Sequence, residues 1–398
     1  MEVLRLASEV IHLERLQALR KKIHMNPELK YEEVNTARLI VEHLDTLNIP
    51  YEDKIGETGI VATIHGSGRN RASPGRTIGL RADMDALPMQ ESNRFEHASK
   101  VAGKMHACGH DGHVCMLLGA AELLTSHNDF DGTVHLIFQP AEEGGAGAKA
   151  MMEAGLFEKY PCDAIFALHN WPDLPYGQMA VRPGPIMGAS VRFEIIVSGK
   201  GGHGALPHQA IDPIPIACAI VSQLQTLISR SKDPQDAAVL TVGKIESGIM
   251  ENIIPDEAKI FGTCRTLTAK TQKVLVEGLH RVATGIAQAH AANAQIKIKY
   301  GYPATNNDAA EAAFMYEAMK DVVGPQAAHF ELPAALTAED FAYMLQSVPG
   351  AYGWVGNNTP GQEKSALHSP TYDFCDNNLL LGAAFWGHLV SKRFASRR

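Results

Sequence analysis

The sequence predicts an α/β protein whose first domain is interrupted by a smaller α+β module. Three observations carry this. Short apolar runs alternate with segments of helical periodicity up to Leu168. The texture changes after Arg182-Pro183-Gly184-Pro185, where strands with one polar face begin. From there to Tyr300 the elements follow the order β-α-β-β-α-β, which is that of a ferredoxin-like sandwich.

Taken in order, Val3 to His24 places Leu, Val and Ile among Glu, Arg and His at helical spacing and closes at Asn26-Pro27. Glu32 to Leu47 then sets Ala37, Ile40, Val41 and Leu44 on one helical face. Strand-like runs occupy Gly59–Ile64, Thr77–Arg81, Thr133–Phe138 and Ala164–Leu168, with a helical pattern at Val114–Leu124 between two of them. Strands alternating with helices imply a parallel or mixed sheet covered on both faces. In the inserted module Val191, Phe193, Ile195 and Val197 alternate with Arg192 and Glu194. An apolar helix (Pro213–Ile228), strands near Val239–Ile245 and Ala258–Thr266, a helix (Thr271–Ala291) and a strand (Gln295–Tyr300) follow. After Tyr302 the chain returns to the first domain and ends in a long helix, Asn377–Lys392. The expected division is residues 1–185 with 302–398, and 186–301.

A chain of 398 residues exceeds one ordinary core and suits two domains. Its 45% hydrophobic and 20% charged content is that of a globular enzyme, and a net charge of −8 gives no attraction to nucleic acid or an anionic membrane. No run approaches the roughly 20 apolar residues of a membrane span. The six cysteines form no CxxC pairs, so neither a disulfide framework nor a zinc ribbon is expected, and a reducing cytoplasm fits. Five of them read as buried small hydrophobes; Cys108 is the exception.

The densest chemistry lies at Met105-His106-Ala107-Cys108-Gly109-His110-Asp111-Gly112-His113, with four potential metal ligands (His106, Cys108, His110, His113) beside an acid. A Cys-x-His pair can aim both side chains at one ion, and a helix starting at His113 would fix the turn. The Thr133–Phe138 strand runs into Gln139-Pro140-Ala141-Glu142-Glu143-Gly144-Gly145. Paired carboxylates past a strand end occupy the place where open α/β sheets form ligand crevices. There one carboxylate can hold a metal while the other takes a proton from water. Ala164–Leu168 ends similarly in His169-Asn170-Trp171-Pro172, and His368 stands alone near the C-terminus. Cys, Glu and His from four loops make a donor mixture suited to Zn²⁺ or Mn²⁺.

These segments occur with Arg20-x-x-x-His24-x-Asn26-Pro27-Glu28-Leu29, Leu80-Arg81-Ala82-Asp83-Met84-Asp85-Ala86-Leu87-Pro88, Gly201-Gly202-His203, Asn252-Ile253-Ile254-Pro255 and Glu339-Asp340-Phe341. In that order they resemble the M20 peptidase superfamily over nearly the whole chain, specifically its aminoacylase, hippurate hydrolase and auxin-conjugate amidohydrolase branch. The resemblance implies a zinc-peptidase-like catalytic domain with a mixed central sheet, plus an inserted ferredoxin-like dimerisation or lid domain. It implies Cys108, His110, Glu143, His169 and His368 as ligands of one or two divalent ions, Zn²⁺ or Mn²⁺, and Glu142 as general base. Asp85 would support the site from behind, because Asp83 stands where the wider superfamily carries a metal-binding histidine. His203, flanked by glycines, would reach a partner's site and hold the oxyanion, with His208 as its rival. Asn252 and Arg265 would bind the substrate carboxylate. Met250 and Glu251 replace the small residues that precede this asparagine in many relatives, so substrate preference at that end is open.

The implied activity is hydrolysis of small N-acyl amino acids (N-acetyl, N-benzoyl or related conjugates) by a cytoplasmic homodimer or higher homo-oligomer, with no nucleic-acid or membrane partner. The alternatives are a dipeptidase or carboxypeptidase with the same machinery, and a non-catalytic metal-dependent binding protein.

Overall fold

The computed structural model describes residues 2–68, 76–358 and 365–395. The chain forms two compact units. The first is Met1–Gly184, Asn306–Pro333 and Asp340–Arg398; the second is Pro185–Thr305 with Ala334–Glu339. The last segment lies inside what the sequence reading assigns to the first domain. It joins the second unit because Ala335 donates its amide to the Ile186 carbonyl (2.9 Å) and its Thr337 carbonyl accepts from Gly188 (2.7 Å).

The first unit is built on a mixed eight-stranded sheet. Its spatial order is Tyr51–Ile55, Gly59–His65, Thr133–Gln139, Thr77–Asp83, Ala164–Pro175, Gly350–Asn358, Met179–Val181 and Ala328–Phe330. The central strands Thr133–Gln139, Thr77–Asp83 and Ala164–Pro175 run parallel, as does Gly350–Asn358 beside the last of them. Parallel strands are buried on both faces and so read as unbroken apolar runs. Every residue of Thr133–Gln139 is buried. Their carboxyl ends open on one edge, which gathers the chemistry of several loops there.

The helix His110–Ser126 is buried from His110 through Leu124. A helix apolar on all sides belongs in a core, and this one packs against Leu13–Met25 and Asn377–Arg393. It starts three residues before the position expected from the sequence, so His110, Asp111 and His113 occupy its first turn. Gly109 precedes it with φ +87°, a left-handed conformation that glycine adopts without strain. The single helix expected over Val3–His24 is two, Glu2–Val10 and Leu13–Met25. The Glu122 carboxylate accepts the His12 amide (3.1 Å), which supplies at that point a partner that helical continuation would otherwise provide.

In the second unit four antiparallel strands lie in the order Ala238–Ser247, Glu257–Thr266, Ala189–Ser198, Asn293–Tyr300. With the helices Pro213–Thr226 and Ala269–Ala289 this is the ferredoxin-like arrangement. Val191, Phe193, Ile195 and Val197 meet Ile216, Ile220, Leu224, Leu275 and Leu279 in its core, as the period-two pattern requires.

Candidate metal centre

Three loops and one strand of the first unit converge at the carboxyl edge of its sheet. Cys108 and His110 come from the loop before, and the first turn of, the helix His110–Ser126, Glu142 and Glu143 from the turn after Gln139, and His368 from the segment before the last helix. His169 projects from within a strand, because Ala164–Pro175 continues past the Leu168 end expected from sequence. Cys108 Sγ lies 3.4 Å from His169 Nε2, and His368 Nε2 lies 3.0 Å from Glu143 Oε1. Donor atoms of Cys108, Glu143 and His368 are mutually within 4.8 Å, as are those of His110, Glu142 and Glu143. All five residues expected as ligands, and Glu142, are therefore in one cluster.

Asp85 organises the cluster from behind. One oxygen accepts the Glu142 amide (3.0 Å) and the other the Glu143 amide (2.9 Å), and His110 Nδ1 is 3.3 Å from the first. Ala141 enters this turn at φ +54° and is pinned by its N–H, which donates to the buried Glu33 carboxylate (2.9 Å). The two glutamates thereby leave one turn at different angles, one toward His368 and Cys108 and the other toward the Asp340 amide (3.4 Å).

Electrostatics follow from burial. Burial raises the Cys108 thiol well above its ordinary range, helped by Glu143 and Glu142. Burial by itself would lower His110, yet Asp83, Asp85 and Glu143 raise it to about 10. His169 is pushed well down by burial and by the adjacent His113. Glu143 falls below the usual carboxylate range against its burial, because His368 and His110 favour the charged form. A cation would reverse the first two shifts, stabilising thiolate over thiol and neutral imidazole over imidazolium. The fit is supported by His110 Nε2, a buried nitrogen with no hydrogen-bond partner, amid sulfur, imidazole and carboxylate donors. The residues present suit a divalent metal.

A second group, Asp83, His110, His113 and His169, is equally close. Asp83 is already committed, with Oδ1 to His113 Nδ1 (2.6 Å) and Oδ2 to Arg81 (2.7 Å). His113 Nε2 accepts the Asn170 amide (3.0 Å). Asn170 and Tyr372, whose hydroxyl donates to Asn170 Oδ1 (2.6 Å), are the buried members that sequence reasoning missed. The one available signal was the asparagine directly after a histidine at the end of an apolar run. His106 is also buried, with neither ring nitrogen hydrogen-bonded.

His203, Asn252 and Arg265 belong to the second unit. His203 is exposed and pairs with Ile253 in a two-residue ladder, where Gly204 donates its amide to the Asn252 carbonyl (2.8 Å). Arg265 is half-buried on Glu257–Thr266 with Nη1 on the Cys264 carbonyl (3.2 Å). The expectation of five buried structural cysteines is corrected. Cys115 and Cys264 are buried, Cys162 and Cys375 are partly so, and Cys218 is exposed on the outer face of its helix.

Residues 79–392 match peptidase family M20/M25/M40. The chain belongs to this family. It is 41% identical over 380 residues to IAA-amino acid hydrolase ILR1-like 4 of Arabidopsis thaliana, covering 94% of this chain and 84% of that one. It is 37% identical over 388 residues to hippurate hydrolase of Campylobacter jejuni, covering 97% and 99%. A solved Bacillus subtilis protein, described as a dinuclear metal-binding peptidase of the M20 family, superposes with a TM-score of 0.82 at 35% identity over 95% and 97% of the two chains. This M20 protein is a metal-dependent amidohydrolase. Among its described residues no helix is long and apolar enough to cross a membrane.

Proposed function

We propose that this M20 amidohydrolase cleaves N-acyl amino acids, with acetyl, benzoyl or indole-type acyl groups, to a carboxylic acid and a free amino acid. The single observation that carries the reading is the turn after Gln139, where one aspartate holds the amides of two adjacent glutamates and directs their side chains to different tasks. Cys108, His110, Glu143, His169 and His368 would hold one or two ions, Zn²⁺ or Mn²⁺. A bound ion supplies Lewis acidity toward the amide carbonyl and makes a nearby water more acidic. Glu142 accepts the proton of the attacking water and delivers it to the departing amine. Asp85 keeps that carboxylate and the Glu143 carboxylate in register. His203 donates to the developing oxyanion, while Asn252 and Arg265 bind the substrate carboxylate, a task suited to a guanidinium.

Relatives that hydrolyse IAA-amino acids and hippurate, and one that deacetylates N-acetylcysteine, support this choice of acyl groups. We also propose a homodimer in which His203 serves the partner chain. The edge strand Ala238–Ser247 supports this, exposing Val239 and Ile245. Six free thiols support a reducing, cytoplasmic setting.

Glu142→Gln should lower turnover by about two to four powers of ten and leave metal content unchanged. A variant that keeps more than about a tenth of the wild-type rate overturns the base assignment. Assays of N-acetyl, N-benzoyl and indole-acyl amino acids beside a simple dipeptide, with Mn²⁺, Zn²⁺ and Co²⁺, identify substrate class and metal.

A further inference from the structure

We propose that His113 is a positioning residue that fixes the tautomer of His169 through the main chain of Asn170. The pairing of Thr77–Asp83 with Ala164–Pro175 ends at Arg81 and Ala167. Three residues beyond, Asn170 turns its main-chain groups to side chains. Its N–H donates to His113 Nε2 at 3.0 Å, and its carbonyl lies 2.7 Å from His169 Nδ1.

The proton positions follow from donor and acceptor identity. A carbonyl can only accept, so His169 carries its proton on Nδ1. Its lone pair is then on Nε2, the atom 3.4 Å from Cys108 Sγ. An amide can only donate, so His113 Nε2 is unprotonated, and its proton on Nδ1 goes to Asp83 Oδ1 at 2.6 Å. Asp83 is locked in turn by Arg81 at 2.7 Å, and all of Arg81, Asp83, His113 and Asn170 are buried. The chain Arg81, Asp83, His113, Asn170, His169 therefore has one consistent set of donors. Both oxygens of Asp83 already accept a hydrogen bond, and the ring lone pair of His113 is taken by the Asn170 amide, although both residues lie in a cluster of metal-binding residue types.

Asn170 extends the effect to the cysteine. Its Nδ2 donates to the Cys108 carbonyl (2.5 Å), and its Oδ1 accepts from Tyr372. A Cβ at Gly109 would sit 2.3 Å from that Nδ2, so glycine there allows the close approach. Asp83 is thus the anchor of a support for His169.

The inference uses the proposed ligand set only for His169, and its first test needs neither metal nor substrate. In the metal-free protein labelled with ¹⁵N-histidine, with signals assigned from H113F and H169N, His113 and His169 should both show the Nδ1–H tautomer. A Nε2–H signal for either overturns the proposal. The second test is Zn²⁺ affinity by competition with a chelator. H113F should weaken it about tenfold or more and let His169 sample both tautomers. H113Q, whose amide oxygen can take the place of Nε2, should restore affinity to within about threefold of wild type. Equal loss in both variants, or wild-type affinity in H113F, refutes the role. If H113F does not fold, the wild-type spectrum and H113Q still decide. Loss of turnover with intact tautomers and affinity would count against the catalytic reading alone.

Discussion

A cysteine in this protein has a meaning set by its neighbours. Cys108 lies within reach of His169, Glu143 and His368, while Cys264 is wedged in the core of the second unit. Cys108→Ala should therefore lose bound metal and turnover together with little loss of fold. Cys264→Ala should keep full metal content and lower the unfolding free energy by about 1 to 2 kcal/mol, the scale of a small buried side chain truncated by one atom. Metal analysis and denaturation of both variants separate the two roles, and full occupancy in Cys108→Ala removes that sulfur from the site. The same contrast applies to His113 and His169, which lie 4.6 Å apart centroid to centroid. Only the direction of their hydrogen bonds tells support from ligand.

At the scale of elements, the helix Leu13–Met25 is tied to the first turn of His110–Ser126 by buried charge. His24 Nδ1 is 2.8 Å from Asp111 and its Nε2 is 3.3 Å from Glu91, while Arg20 reaches Asp111, Asp373 and Asp376. Asp111 also sits where a helix N-terminus favours an anion. Burial alone would lower the His24 pKa, yet Asp111 and Glu91 raise it to about 9. A raised histidine stabilises the fold while it holds its proton. The contribution is complete below about pH 6.5, the unfolded value, and is lost as pH rises to about 9. A shift of this size corresponds to about 3 kcal/mol. His24→Gln should accordingly be less stable than wild type at pH 6, with the difference shrinking by pH 9.5. A gap that stays constant across this range would show that folding does not shift the His24 pKa.

At the scale of the whole molecule, the proposed assignment divides the chemistry between Glu142 in one unit and His203 in the other. If His203 serves the partner chain, inactive His203→Ala and inactive Glu142→Gln proteins should complement when mixed. Random exchange makes half of the dimers hybrid. Each hybrid then has one site with both residues intact, so about a quarter of wild-type activity should return. No recovery after verified subunit exchange would confine His203 to its own chain or remove it from the reaction.

Much of this was legible in the sequence because it is written in local pattern. Period-two alternation marked Ala189–Ser198, and unbroken apolar runs marked the central strands, since each residue's burial there depends on its own position along the strand. Glu142, Glu143 and His169 stood out beside expected strand ends and Cys108 and His110 in a dense run of donors, while the resemblance to the M20 superfamily joined them with His368 into one set. Other features had no local signature. The split at His12 is decided by Glu122, 110 residues away, and the continuation of a strand past Leu168 by its pairing with Gly350–Asn358. The return of Ala334–Glu339 to the second unit rests on backbone hydrogen bonds with Ile186 and Gly188. Residue types alone left His113 and His169 both as potential ligands and gave Asp83 no defined task. The folded chain distinguishes them, because Arg81 and His113 hold one oxygen each of Asp83 and the Asn170 amide takes the ring lone pair of His113, whereas the Asn170 carbonyl fixes the proton of His169 and leaves its Nε2 lone pair toward Cys108. A sequence records which donors exist; only the tertiary structure decides which of them are already used.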